Sequence, residues 1–410
     1  MSNEEIFEKF AKYISPGKVE MYKRMGISFI PGKSEGCWIK DKNSDLKVIN
    51  LRSSGGVFNL GHNPKGTTEA LKKALEIGLD MGDHLLISEQ RANFAEALSK
   101  VLPGDIQYTI FGVSGGEAVD MSIKLARGFT KRVKIVSTLG GYHGHTGFAL
   151  GTGDDVFKAP FGSFENFKQI PFGDIEAAER EIDSDTAAFI VETIQATAGV
   201  MIPPDGYLKR IREICDERDV VFIIDEIQAG LGRTGNLWAV EEWDVIPDIM
   251  VLGKGMSGGV YPLSATCFRP HLQEFMNKNP FVHISTAGGS NLACVVASEM
   301  LEEIQELLPN VRERAEQFKT GLASLQANSH GVITEVRQRG LFIGVEFADP
   351  RTCEVFMGIC LGKGTLALYA NNRPNTLIVM PPLIISEEEV DFVLKVFSEA
   401  LQDLLVLGKS

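Results

Sequence analysis

Residues 220–235, VVFIIDEIQAGLGRTG, place five consecutive apolar side chains in front of Asp225 and follow them with a glycine-rich turn. Without polar alternation, such a run reads as a strand covered on both faces, as in a parallel sheet flanked by helices. Outward from it, from about residue 106, short β-rich runs alternate with helical periodicity. Candidate strands are 107–111, 134–137, 187–192, 220–225, 249–252 and 263–268. After Pro203 and Pro204, Leu208, Ile211 and Cys215 recur at helical spacing, so one helix face can cover the sheet in a crossover unit. The last hundred or so residues read differently. Helices are expected at 291–307 and 311–325 and short strands at 340–347 and 376–379. A closing helix starts at the capping box of Ser386 and Glu389. The expected fold is α/β, a large doubly wound mixed sheet domain (56–305) with a smaller α+β domain built from 1–55 and 306–410.

Composition narrows the function classes. Forty-one basic against 54 acidic residues give a net charge of −13 with no basic block, which argues against a nucleic-acid partner. No apolar run is long enough to span a membrane, and the first residues, MSNEEIFEKFAKYI, form an acidic amphipathic stretch rather than a signal sequence, so a cytoplasmic location is expected. Six scattered cysteines without a C-x-x-C pair read as buried thiols, not as disulfides or a metal cage.

Asp225 falls at the carboxyl end of its strand, where doubly wound sheets build ligand sites. A carboxylate there needs a cationic partner. Twenty-nine residues on, a second apolar strand ends in Gly253-Lys254-Gly255, so Lys254 is a candidate amine nucleophile. Alone, a strand-end aspartate is often a turn cap and a lysine usually a solvated charge. Together they are the two groups pyridoxal-phosphate chemistry most needs: a carboxylate that keeps the ring nitrogen protonated and an amine that forms an imine and moves the proton. A phosphate site is available at Phe111-Gly112-Val113-Ser114-Gly115-Gly116-Glu117, between a strand and a helix. Ser114 and Glu117 are expected to form a capping box, with the N–H groups of Gly115 and Gly116 facing an anion. Gly230, Gly232 and Gly235 match a dinucleotide fingerprint literally, but the first glycine does not directly follow the strand and no helix pattern opens there. His143-Gly144-His145 lacks a third ligand in sequence, so no metal site is expected.

These motifs, with SGGEAVDMSIKLAR, GGYHGHTG and HISTAGGSNLAC in that family's order, give the chain a resemblance over nearly its whole length to the class III (omega-type) aminotransferases of fold type I. The resemblance implies Lys254 and Asp225 as catalytic residues. It implies a pyridoxal 5′-phosphate site of Ser114, Gly115, Gly116, Tyr142, His143, Glu192, Ile227 and Gln228, with Tyr142 and Ile227 on opposite ring faces and Gln228 at the ring hydroxyl. Thr286 would complete the site of a neighbouring subunit, so a homodimer with shared active sites is expected, with a tetramer possible.

The chain departs from the family where amino acids are held. The position of a carboxylate-clamping arginine is Ile378, and the position of its glutamate gate is Thr197. The two absences go together, since a buried glutamate without its arginine would be uncompensated. The remaining expected pocket residues are Gly55, Val57, Phe58, His145 and Arg373, the last as a movable cation. The expected reaction moves an amino group from a primary amine, diamine or ω/β-amino compound to a keto acid, pyruvate or 2-oxoglutarate. Racemisation, epimerisation and aminomutation, which the family also contains, are the alternatives, and a non-catalytic cofactor-binding protein is a third.

Overall fold

The run ending in Asp225 forms the middle strand of a seven-stranded sheet in the computed structural model, which describes residues 1–407. From edge to edge the strands are Tyr108–Gly112, Ser264–Phe268, Ile249–Leu252, Val221–Asp225, Thr186–Glu192, Lys134–Thr138 and Phe167–Ile170. The last five are parallel, and Ser264–Phe268 runs antiparallel to both of its neighbours. That single reversal leaves six strands sending their carboxyl ends to one edge. The six strands expected from sequence are present, their ends displaced by no more than one residue. The seventh, Phe167–Ile170, is a half-exposed edge strand whose polar centre carries no strand pattern.

Side chains of the central strand alternate between the two faces. Phe222 and Ile224 enter one core and Val221 and Ile223 the other. Helix Tyr207–Glu217 closes the first face with Tyr207, Leu208, Ile211, Ile214 and Cys215, all buried. Each such side chain contributes roughly 1.5–3 kcal/mol, so the sheet holds this helix more firmly than its own propensity could. Helix Gly115–Thr130 covers the other face through Ala118, Val119, Met121 and Leu125.

The two helices expected after residue 290 are one, Asn291–Ala327, with Pro309 inside it. Proline removes one hydrogen bond from the ladder, yet packing carries the helix through. Ala297, Met300 and Ile304 lie in the core of the large sheet, whereas Val311, Phe318 and Leu322 lie in a second core with Phe356 and Phe397. That second core also takes Cys37, Ile49 and Leu51 from the N-terminal part, and Thr365 and Leu366 pair in parallel with Ile49 and Asn50. Its sheet includes Ile333–Arg339, a charge-rich strand not anticipated, paired with Phe342–Phe347. The Ser386–Glu389 capping box is present, each backbone N–H donating to the other's side chain at 3.0 and 3.2 Å. All six cysteines are buried. Among the described residues, no helix is long and apolar enough to cross a membrane.

Candidate active site

Three neighbouring parallel strands bring Glu192, Asp225 and the Gly253-Lys254 turn to the carboxyl edge, with Glu192 directly opposite Asp225 and Asp225 opposite Val251. Asp225 is 3% exposed. Its Oδ2 receives His143 Nδ1 at 2.7 Å and its Oδ1 accepts the Ile227 N–H at 2.9 Å. A buried carboxylate is tolerable only with such partners. Burial alone would pull the imidazole of His143 down, but the hydrogen bond and charge of Asp225, aided by Glu192, carry it above its ordinary value. His143 Nε2 is buried and has no partner among the described residues. Glu192 accepts the Tyr142 N–H at 2.8 Å and so fixes the turn that carries Tyr142 and His143. Burial drives the Glu192 carboxyl up to about 7, against the lowering pull of His143.

Lys254 sits at φ +46°. This left-handed conformation costs a non-glycine residue on the order of 1–3 kcal/mol, and such strain gathers at functional sites. Its Nζ donates to Gln228 Oε1 at 2.7 Å. Burial lowers the proton affinity of the amine; Asp225 and Glu192 oppose that, and the charge of Arg52 adds to it.

At the start of helix Gly115–Thr130, the Ser114 hydroxyl accepts the Glu117 N–H at 3.3 Å. The reciprocal half of the expected capping box is absent, because the Glu117 carboxylate reaches one residue farther back and accepts the Val113 N–H at 2.7 Å. The helix offers no acceptor to the N–H groups of Gly115 and Gly116, its first two residues. Side chains are excluded there. A Cβ on Gly115 would lie 2.9 Å from Ile227 Cδ1, and one on Gly116 2.6 Å from Thr146 Oγ1.

Lys254 lines two cavities. One of about 390 Å³ also touches Gly55, Tyr142, His145, Thr197, Gln228 and Ile378. The other, about 360 Å³, touches Val57, Phe58, Ser114 and Gly115. Tyr142, His145 and Phe157 form an aromatic wall with ring centroids 5.1–5.9 Å apart. Two expected residues are elsewhere. Arg373 is held by Glu346 at 2.8 Å and lines neither cavity, and Thr286 is exposed and lines neither. The reading of the sequence missed Arg52, Phe157, Leu368, Tyr369, Asn371 and Met380, all on the larger cavity. No local pattern marks them; only the approach of the terminal segments to the sheet does. The glycines of the literal fingerprint surround Arg233, which is fully buried and donates to Leu341 O at 3.2 Å, Pro381 O at 2.5 Å and Asn59 Oδ1 at 2.5 Å. That turn is a bolt between the two cores.

The family model "Aminotransferase class-III" matches residues 21–401. An uncharacterised aminotransferase of Archaeoglobus fulgidus is 47% identical over 401 residues, covering 97% of this chain and 94% of the relative. The acetylornithine aminotransferase of Methanopyrus kandleri is 36% identical over 405 residues, covering 98% and 99%. Among solved structures, the ornithine aminotransferase of Toxoplasma gondii, described with partial occupancy of PLP at its active site, superposes with a TM-score of 0.91. It is 27% identical, with 100% of this chain and 96% of that chain covered.

Proposed function

This chain belongs to the class-III aminotransferase family, and we propose that it moves an amino group from a primary amine, diamine or ω/β-amino compound to a keto acid such as pyruvate or 2-oxoglutarate. The family depends on pyridoxal phosphate, and the residues present suit that group. A buried carboxylate, Asp225, stands at the sheet edge; a buried amine, Lys254, stands beside it; and unsatisfied N–H groups at Gly115 and Gly116 open a helix where side chains would not fit. The Nε2 of His143 is a further buried polar atom without a hydrogen-bond partner among the described residues. The observation that carries the reading is the convergence of Asp225 and Lys254 on adjacent strands at one edge.

When bound, pyridoxal phosphate supplies an aldehyde for attachment and a ring that accepts electrons from the substrate carbon. Lys254 is the attaching amine. Burial keeps Nζ nearer its neutral, nucleophilic form, and the Gln228 hydrogen bond orients it. Once displaced by the incoming amine, Nζ would be the base that takes the proton from the substrate carbon and the acid that returns it. Asp225, braced by His143, would hold a proton on the ring nitrogen of the bound group. Tyr142 and Ile227 would hold the ring, Ser114, Gly115 and Gly116 would hold the phosphate, and Glu192 fixes the Tyr142 turn. We assign this cofactor domain to 56–305 and the smaller domain to 1–55 with 306–410.

Two further parts of the reading concern assembly and donor. Thr286 suits a role toward a second chain, and the large exposed side chains of Leu85, Phe281 and Ile284 share one surface depression. These features support a homodimer with shared sites, or a tetramer built from two such dimers, placed in the cytoplasm. For the donor, Ile378 and Thr197 give the cavity no clamp for an α-carboxylate. Acetylornithine and ornithine, in the names of two relatives, both carry a terminal amine. The test is to mix the cofactor-loaded protein with single amines and then with keto acids while following the cofactor's absorbance. The expected result is bleaching of the yellow band by a terminal amine and its return with a keto acid. No change with any amine would overturn the reading.

A further inference from the structure

A carboxylate that enters the larger cavity must meet a cation or lose its hydration uncompensated. Among the described residues, the guanidinium of Arg337 is committed to Glu335 and Glu346, and that of Arg373 to Glu346. Lys254 is reserved for bond making. Arg52 is different. It lines the cavity, its side chain is exposed at the rim, and its guanidinium has no ion pair or hydrogen bond within the described residues.

Its backbone, by contrast, is fixed. The Arg52 N–H donates to Asn50 Oδ1 at 3.0 Å, and Arg52 O accepts the Gly55 N–H at 2.8 Å. The next residue, Ser53, donates its hydroxyl to Met380 O. Ser53 and Ser54 hold left-handed conformations at φ +48° and +52°, a strained turn that its surroundings must enforce. A free planar fork on a rigid base at the mouth, with the reactive amine at the floor, is the arrangement that receives a carboxylate in two-point contact.

Resting on the aminotransferase reading above, we infer that Arg52 binds the carboxylate remote from the reacting carbon and so sets the preference for donors that carry one over amines of the same chain length that do not. The charge of Arg52 already reaches the floor, where it adds to the effect of burial in lowering the proton affinity of Lys254. The remaining walls that such a substrate would cross, Ile378, Met380, Leu368 and the aromatic wall, suit its methylene chain.

The experiment compares 5-aminopentanoate with pentylamine, the same chain without the carboxylate, in the amine half-reaction of the holoenzyme, and titrates the holoenzyme with glutarate by calorimetry. Arg52→Gln and Arg52→Ala should lose at least about tenfold more kcat/KM on 5-aminopentanoate than on pentylamine, mainly through KM. Arg52→Lys should recover part of that loss, and glutarate binding should weaken by a similar factor in the neutral variants. Equal losses on the two amines, or unchanged glutarate binding, would overturn the inference. A wild-type enzyme that reacts with neither amine would instead overturn the donor class proposed above, and the glutarate titration would still decide whether Arg52 holds a carboxylate.

Discussion

Where the Lys254 cavity meets the sheet, ionisable side chains are held by hydrogen bonds: buried Asp225 to buried His143, buried Glu192 to the Tyr142 turn, Lys254 to Gln228. Where it meets the terminal segments, they are Leu368, Tyr369, Ile378 and Met380, with Arg52 as a cation whose guanidinium has no hydrogen bond or ion pair among the described residues. The floor holds charges in a fixed array whatever the substrate is, at a cost in burial that partners must offset. The roof holds almost none, so its selection works by shape, apolar contact and one movable charge. Changes in the floor should therefore damage every reaction alike, and changes in the roof should alter the ratio between substrates.

The comparison breaks most easily at Lys254. Replacing Lys254 with Ala should abolish the borohydride-reducible link to the cofactor and cut turnover by about 10³-fold or more for all donors. A variant that kept its rate, or lost it for one donor class only, would remove Lys254 from the floor. Asp225→Asn comes next. An amide cannot hold a proton on the ring nitrogen as a carboxylate can, so a loss of about 10²–10³-fold is expected, again independent of donor, with cofactor still bound. Steady-state rates on three unlike donors would check that uniformity.

A smaller effect tests the roof. Without an arginine at position 378, donors with a terminal amine should exceed α-amino acids such as glutamate by about tenfold in kcat/KM, roughly 1.4 kcal/mol. Parity between the two classes would mean that some other residue clamps the α-carboxylate. The smallest effect separates the floor from what lies beneath it. Glu226, next to Asp225, points away to Thr193 and to the N–H groups of Ala239 and Val240, and burial lifts its carboxyl to about 7. Because the fold then binds that proton more tightly than the unfolded chain does, stability should decline as pH rises from about 4.5 to about 7. Glu226→Gln, neutral throughout, should flatten the fall in Tm between pH 5.5 and pH 8 by a few degrees. An unchanged pH profile would show that Glu226 does not titrate in that range.

The floor was readable in advance because each of its residues ends or follows an apolar run. Asp225 and Lys254 close strands whose β-branched composition announces them, and Gly115 and Gly116 open a helix with its cap in plain view. The one local error there, the capping box, arose because Ser114 and Glu117 have the right spacing while the carboxylate has an equally near donor at Val113. The roof was less readable for the opposite reason. Arg52 and Met380 are brought together by tertiary contacts alone, and Arg373, expected as one candidate for a movable cation, is captured by Glu346 on a strand that sequence does not pair with it. The continuous helix Asn291–Ala327 was split at Pro309 because the proline is visible locally and the two cores that carry the helix through are not.

The contact that closes the roof also has a temporal meaning. Ser53 Oγ meets Met380 O, and Met380 N meets Leu51 O, across a separation of 327 residues between Ser53 and Met380. Loops of that length close late, after contacts within the central sheet have formed, since closure entropy and folding time both grow with separation along the chain. During synthesis, a chain that has emerged as far as residue 300 possesses Asp225 and Lys254 but not the segment that roofs them. Its reactive amine and Arg52 are made before the wall of Leu368, Ile378 and Met380, so the part of the cavity that selects by shape and apolar contact is completed last.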